Sequence, residues 1–231
     1  MMPSADGRLD LPVVGERQSL REQVAHALRV ALITGEMRPG MVYSAPVLAA
    51  QFGVSATPVR EAMLDLAKEG LVEAVRNKGF RVTELSDRDL DELTHIRRLI
   101  EVPTVAALAD ASREDEFELL RPLAEEIVTA AREGDLLTYV DADLRFHLEL
   151  LSLSGNAHLV DVVRDLRNRA RLYGLDALYR KGTLEESARE HVAILDALMA
   201  GDSEAARRLM DQHIQHVRGI WAARPEPPAP A

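Results

Sequence analysis

Among the seven histidines and 38 acidic residues of this 231-residue chain, Asp143, His147, His191 and His213 could together hold one transition-metal ion. Asp143 and His147 stand four residues apart in DADLRFHLELL. On a helix they project from one face about one turn from each other, a spacing that offers two ligands to one ion. His191 and His213 lie on later segments, each beside apolar residues that should turn inward. If a bundle brings those segments together, three imidazoles and a carboxylate converge. Such a set suits Zn, Ni, Fe, Co or Mn and leaves room for water or an oxygen ligand. Spacing alone leaves a second reading open, in which Asp143 and His147 are a surface pair or a cap partnership. His216, three residues past His213, reads as a near-surface histidine, and His26, His95 and His158 as solvated or structural.

Converging ligands require helices to carry them. Beyond residue 83 strand-like runs are nearly absent, and helical segments are expected over roughly 88–111, 113–133, 135–153, 156–181, 183–200 and 202–222. Breaks such as Glu133-Gly134-Asp135, Ser154-Gly155-Asn156 and Gly201-Asp202 separate them. Pro103 and Pro122 fall inside the first two and should kink them, because proline removes a backbone donor.

The chain before residue 83 has another character. Gln18 to Thr34 reads as an amphipathic helix, and Ser44 as the cap of a short one carrying Val47, Leu48 and Phe52. Phe52 to Val72 is a glycine turn feeding a third helix. Thr57 is its expected N-cap and Pro58 its first residue, Val59, Ala62, Met63 and Leu66 form the buried stripe, and Gly70 ends it. Val72–Val75 and Phe80–Val82 read as strands around Arg76-Asn77-Lys78-Gly79. Three helices and a hairpin make a winged helix-turn-helix, although the spacing also fits an ordinary helix hairpin. The expected fold is mainly α, with this unit at 17–83, a linker at 84–88 and an all-α six-helix bundle at 89–222. A flexible arm (1–16) and a disordered, proline-rich tail (223–231) flank them.

The net charge of -10 argues against nucleic acid until it is divided along the chain. Residues 17–83 hold nine Lys/Arg against six Asp/Glu, so the acidity lies elsewhere. The absence of cysteine excludes disulfides and thiolate metal sites and suits a reducing, cytoplasmic setting. No apolar run is long enough to span a bilayer, and the N-terminus lacks a signal peptide's apolar core.

Three runs carry a specific resemblance: GEMRPG, LAAQFGVSATPVREAMLDLAKEGLV and NKGFRV. Together they resemble the DNA-binding domain of the GntR superfamily of bacterial transcriptional regulators. The resemblance implies that Ser55, Thr57 and Arg60 touch DNA, with Arg60 reading a guanine edge, and that Lys78 and the Gly79 backbone lie along the minor groove. The family usually has Arg where this chain has Ala56, a basic residue at Pro46, and polar or basic residues at Leu64 and Asp65, so its operator preference does not transfer. Further on, HIRRLIEVPTVAALA, DADLRFHLELLSLSGN, Glu190-His191 and MDQHIQHV resemble the FCD effector-binding domain of the FadR branch. That resemblance implies a metal held by Asp143, His147, His191 and His213, with zinc foremost among the ions. It also implies a pocket arginine at Arg97, whose alternative is an ion pair with Glu101, Asp91 or Glu92. A divalent ion with one carboxylate leaves roughly one positive charge, a lure for a small organic acid.

The expectation is therefore a homodimeric, metabolite-responsive repressor on palindromic duplex DNA, acting neither as an enzyme nor at a membrane. Two alternatives stand beside it: a metal-dependent enzyme acting on small acids, and a regulator that senses the metal itself.

Overall fold

The computed structural model describes residues 19–110, 113–170, 179 and 182–221. The expected arm, the tail and the latter part of the 156–181 helix lie outside the described residues. The first helix, α1 (Leu20–Ile33), opens with a reciprocal cap: the Ser19 hydroxyl accepts from the Glu22 amide, and the Glu22 carboxylate accepts from the Ser19 amide. Helix α2 (Ala45–Phe52) is capped by Ser44 and stopped by Gly53 at φ 67°. Helix α3 (Ala56–Lys68) starts two residues earlier than expected, with Ser55 at the N-cap in place of Thr57. Pro58 becomes its third residue, still in the turn whose amides have no carbonyl partner, so the proline is tolerated. Val59, Ala62, Met63 and Leu66 are fully buried, and Leu71 folds back with its amide 3.0 Å from the Leu66 carbonyl.

The hairpin comprises β2 (Val72–Val75) and β3 (Gly79–Val82), joined through Asn77 in the left-handed region. The sequence reading missed a third strand. Strand β1 (Val42–Tyr43) pairs antiparallel with β3, giving the sheet order β1-β3-β2. Two residues are too few to show a period.

The remaining helices are α4 (Asp87–Ala109), α5 (Glu114–Glu118), α6 (Arg121–Glu133), α7 (Leu136–Ser152), α8 (Ala157–Ala170), α9 (Leu184–Met199) and α10 (Ser203–Trp221). Helix α4 runs through Pro103, which sits on its exposed side with Leu99, so the carbonyl that the proline leaves unbonded is next to water. Pro122 acts differently. The expected 113–133 helix is broken at Leu119–Leu120, and Pro122 sits in the first turn of α6, where its missing amide is harmless.

Two cores result. One holds Val24, Leu28, Met63, Leu66 and Phe80; the other holds Val105, Ile127, Phe146, Leu150, Ile194 and Met210. Ile33, at the end of α1, belongs to the second core, so α1 is rooted in both.

Gly79 has φ +132°, and a Cβ there would lie 2.2 Å from the Tyr43 carbonyl oxygen. Gly79→Ala should therefore destabilise the protein by at least about 3 kcal/mol. Gly35→Ala, also at positive φ but in open space, should lose only about 1–2 kcal/mol. Urea unfolding of both variants checks this; equal midpoints would remove the steric account of the sheet.

Candidate metal centre

Helices α7, α9 and α10 bring the four candidate ligands together. Nε2 of His147 lies 3.2 Å from Nε2 of His191 and 3.1 Å from Nε2 of His213. Oδ1 of Asp143 is 3.1 Å from Nε2 of His191 and 3.7 Å from Nε2 of His147. All four donor atoms fall within 4.8 Å of one another. The three imidazoles are fully buried, and Phe146 meets His147 and His191 edge-on, with centroids 5.3 and 5.0 Å away.

The outer edges of the rings decide what their inner edges can do. Nδ1 of His191 donates to the Ala188 carbonyl at 2.9 Å, and Nδ1 of His213 donates to Glu190 at 2.8 Å. Each neutral ring then presents a bare lone pair at Nε2. Nδ1 of His147 has no hydrogen-bond partner among the described residues and lies 3.9 Å from Oε2 of Glu101. Lone pairs of two or three nitrogens and a carboxylate oxygen at about 3 Å repel unless positive charge lies between them, either a proton or a metal ion. Two nitrogens each about 2.1 Å from one ion stand about 3.0 Å apart at octahedral angles and about 3.4 Å at tetrahedral ones. The 3.2 and 3.1 Å spacings of His147 Nε2 from His191 and His213 fall between these values, and Asp143 Oδ1 lies 3.1 Å from His191 and 3.7 Å from His147, so the donor set suits a divalent transition ion.

The electrostatics prepare the same state. Burial holds His147 well below the ordinary histidine range, and the Arg167 charge pushes in the same direction. Burial also lowers His213 to about 4, aided by His191 and opposed by Glu190. Both are thus neutral near pH 7, as metal ligation requires. Burial works against an ionised Asp143, but the His191 hydrogen bond and Arg167 outweigh it and keep the carboxylate charged.

Sequence reasoning missed Arg167 and named Glu101 only as an alternative partner of Arg97. Arg167 is buried, donating to Oε2 of Glu101 at 2.6 Å and to Oδ2 of Asp143 at 3.2 Å. Glu101 also accepts from Nε of Arg97 at 2.6 Å. Arg97 thus makes the ion pair that the sequence kept open as its alternative, yet its Nη2 is buried without a partner among the described residues. A signal existed, because Glu101 continues the i+4 row Leu93, Arg97, Val105, all buried in α4. Glu190 was noted only as His191's neighbour; it joins His213 to the half-exposed His216. Arg98 turns outward to Asp211.

The candidate DNA-facing residues lie together in the other unit. Ser55, Thr57 and Arg60 are exposed around the start of α3, and the Ser55 hydroxyl makes no capping bond. Asp65, a possible partner for Arg60, is engaged by Arg21 and Lys68. Lys78 is exposed at the hairpin turn, whereas Gly79 is accounted for by its close approach to Tyr43.

Comparison with known proteins bears on both units. Residues 20–82 match the family model for bacterial regulatory proteins of the gntR family, and residues 92–216 match that of the FCD domain. The HTH-type transcriptional regulator YdhC of Bacillus subtilis is 32% identical over 198 residues, covering 84% of this chain and 87% of that protein. The HTH-type transcriptional repressor RspR of Escherichia coli is 26% identical over 204 residues, covering 87% and 88%. The solved structure of E. coli McbR/YncC superimposes with a TM-score of 0.67 at 29% identity, covering 89% of this chain and 98% of that one.

The depressed His213 gives a pH dependence. The unfolded histidine binds a proton near pH 6.5 and the folded one only near 4, so stability is lost as pH falls through that window. With a chelator present, urea unfolding should show a loss on the order of 3 kcal/mol from this ring between pH 7 and 4. A flat profile would contradict the burial of neutral imidazoles.

Proposed function

Since the chain belongs to the gntR family of bacterial regulatory proteins and carries an FCD domain, we propose that it is a metal-loaded repressor whose grip on its operator is set by a small organic acid. Members of this family are DNA-binding transcriptional regulators rather than enzymes, so the enzymatic alternative falls away. In this reading the chain acts as a homodimer in the cytoplasm. Units at 17–83 of two copies grip a palindrome, and Asp143, His147, His191 and His213 within 89–222 hold one divalent ion, zinc foremost.

The observation that carries the reading is the convergence of four donors, three of them fully buried, beside an arginine with an unused nitrogen. A divalent ion there supplies a Lewis-acid point for a carboxylate oxygen. The chain's own residues do the rest. Asp143 and Glu101 offset Arg97 and Arg167, and Glu190 offsets part of the ion's own charge, so roughly one positive charge remains to favour an anion. Arg97 gives Nε to Glu101 and keeps Nη2 for the acid. Glu190 and the Ala188 carbonyl hold His213 and His191 in the ligating tautomer. At the DNA, Ser55, Thr57 and Arg60 read the major groove, and Lys78 with the Gly79 backbone follows the minor groove.

Three measurements test this. Competition with a chromophoric chelator should give one zinc per chain, with affinity at least about 100-fold lower in His191→Ala. On duplexes selected from a random pool, Arg60→Ala should lose about 1–3 kcal/mol of binding. A panel of small carboxylates should then contain at least one that shifts wild-type DNA affinity but not that of Arg97→Ala. Identical responses in both proteins would remove Arg97 from effector binding.

A further inference from the structure

The last turn of α8 touches both the metal centre and the end of the reading helix. Arg167 is 5% exposed and bonds Asp143 and Glu101. Asn168 lines a cleft of about 510 Å³ between the two units, with His26, Arg29, Glu69 and Thr138. Arg169 faces the other way, since two residues along a helix turn about 200°. Its Cγ lies 3.5 Å from where a Cβ of Gly70 would stand, and it lines a small pocket with Leu32, Met37, Leu71 and Val82. Gly70 and Leu71 are the residues that terminate α3. Arg169 also bears on the connector. Asp89 at the start of α4 is held below the usual carboxylate range by Ser86 hydrogen bonds first, with Arg169 adding to them.

We infer that residues 167–169 form a relay. Arg167 is a positioning residue that fixes the second oxygen of Asp143, and the same helical turn passes the position of Asp143 to Gly70–Leu71 through Arg169. The inference rests on the reading of Asp143 as a metal ligand. One turn of helix is stiff, so a displacement of Arg167 on one side is delivered to Arg169 on the other. The reader has a fulcrum as well: Ile33 sinks α1 into the helical core, while the close approach of Arg169 to Gly70 lies at the far end of α3. The cleft between these two contacts leaves room for the unit to turn.

Hydrogen exchange on the full chain, with and without zinc alone, tests the relay. In wild type, zinc should slow exchange in α7 and α9 and also alter it over residues 66–72. Arg169→Ala, a change at an exposed side chain, should keep zinc affinity within about two-fold and abolish the response at 66–72. Arg167→Gln should weaken zinc at least about ten-fold, with partial rescue by Arg167→Lys. Should zinc slow α7 and α9 while residues 66–72 stay unchanged in wild type, or respond equally in Arg169→Ala, the relay is overturned and the metal reading stands. No zinc-dependent change anywhere would overturn the metal reading, and the relay with it.

Discussion

Three fully buried ring nitrogens and a part-buried carboxylate oxygen, packed within reach of one ion, impose the strongest constraint on this molecule. Such donors repel one another unless a positive centre joins them, so the surrounding structure has to hold them in place. Phe146 wedges two of the rings, the Ala188 carbonyl and Glu190 take the outward protons of His191 and His213, and Glu101 stands near the third ring. The helices supply the scaffold and the hydrogen bonds supply the aim. Preorganisation of this kind is how second partners tune ligand basicity and orientation.

The chain of charges running from Arg97 through Glu101 and Arg167 to Asp143 is costly to bury, and pairs of this sort rarely stabilise a fold more than well-packed apolar residues do. Its value lies in direction. Glu101 sits between two guanidinium groups whose attraction overcomes the burial that disfavours its charge, and Arg167 is in turn pinned by two carboxylates. Removing one member leaves its neighbour charged and unpaired, which makes the geometry hard to relax.

The winged unit was legible because helical spacing marks its buried stripe and glycines mark its turns: Val59, Ala62, Met63 and Leu66 are all buried, and Gly70 ends α3 as expected. Its cap was misjudged because Ser55 and Thr57 are both good candidates, and only the backbone decides between them. Strand β1 left no trace, being two residues long and paired with a distant partner. Pro122 was read as a kink when it opens a new helix, since proline in a first turn and proline in an interior look alike without the break at Leu119–Leu120. At the site, Asp143 and His147 showed their shared face, but the convergence of His191 and His213 on them depends on how three helices pack. The roles of Glu101 and Arg167 depended on a contact 66 residues long in sequence, which no local pattern encodes.

The close seating of Gly79 on Tyr43, with Ser44 just behind it, ties the turn end of the hairpin to the cap of α2. Hairpin, α2 and α3 therefore travel as one rigid block, and the distance from hairpin tip to reading helix is not adjustable. In the proposed assembly, binding would then be switched by reorienting whole blocks. In a two-block assembly on DNA, a tilt that keeps one block seated carries the other out of phase with a helical repeat of about 34 Å. Release would be abrupt, with an entire half-site lost at once rather than contact by contact.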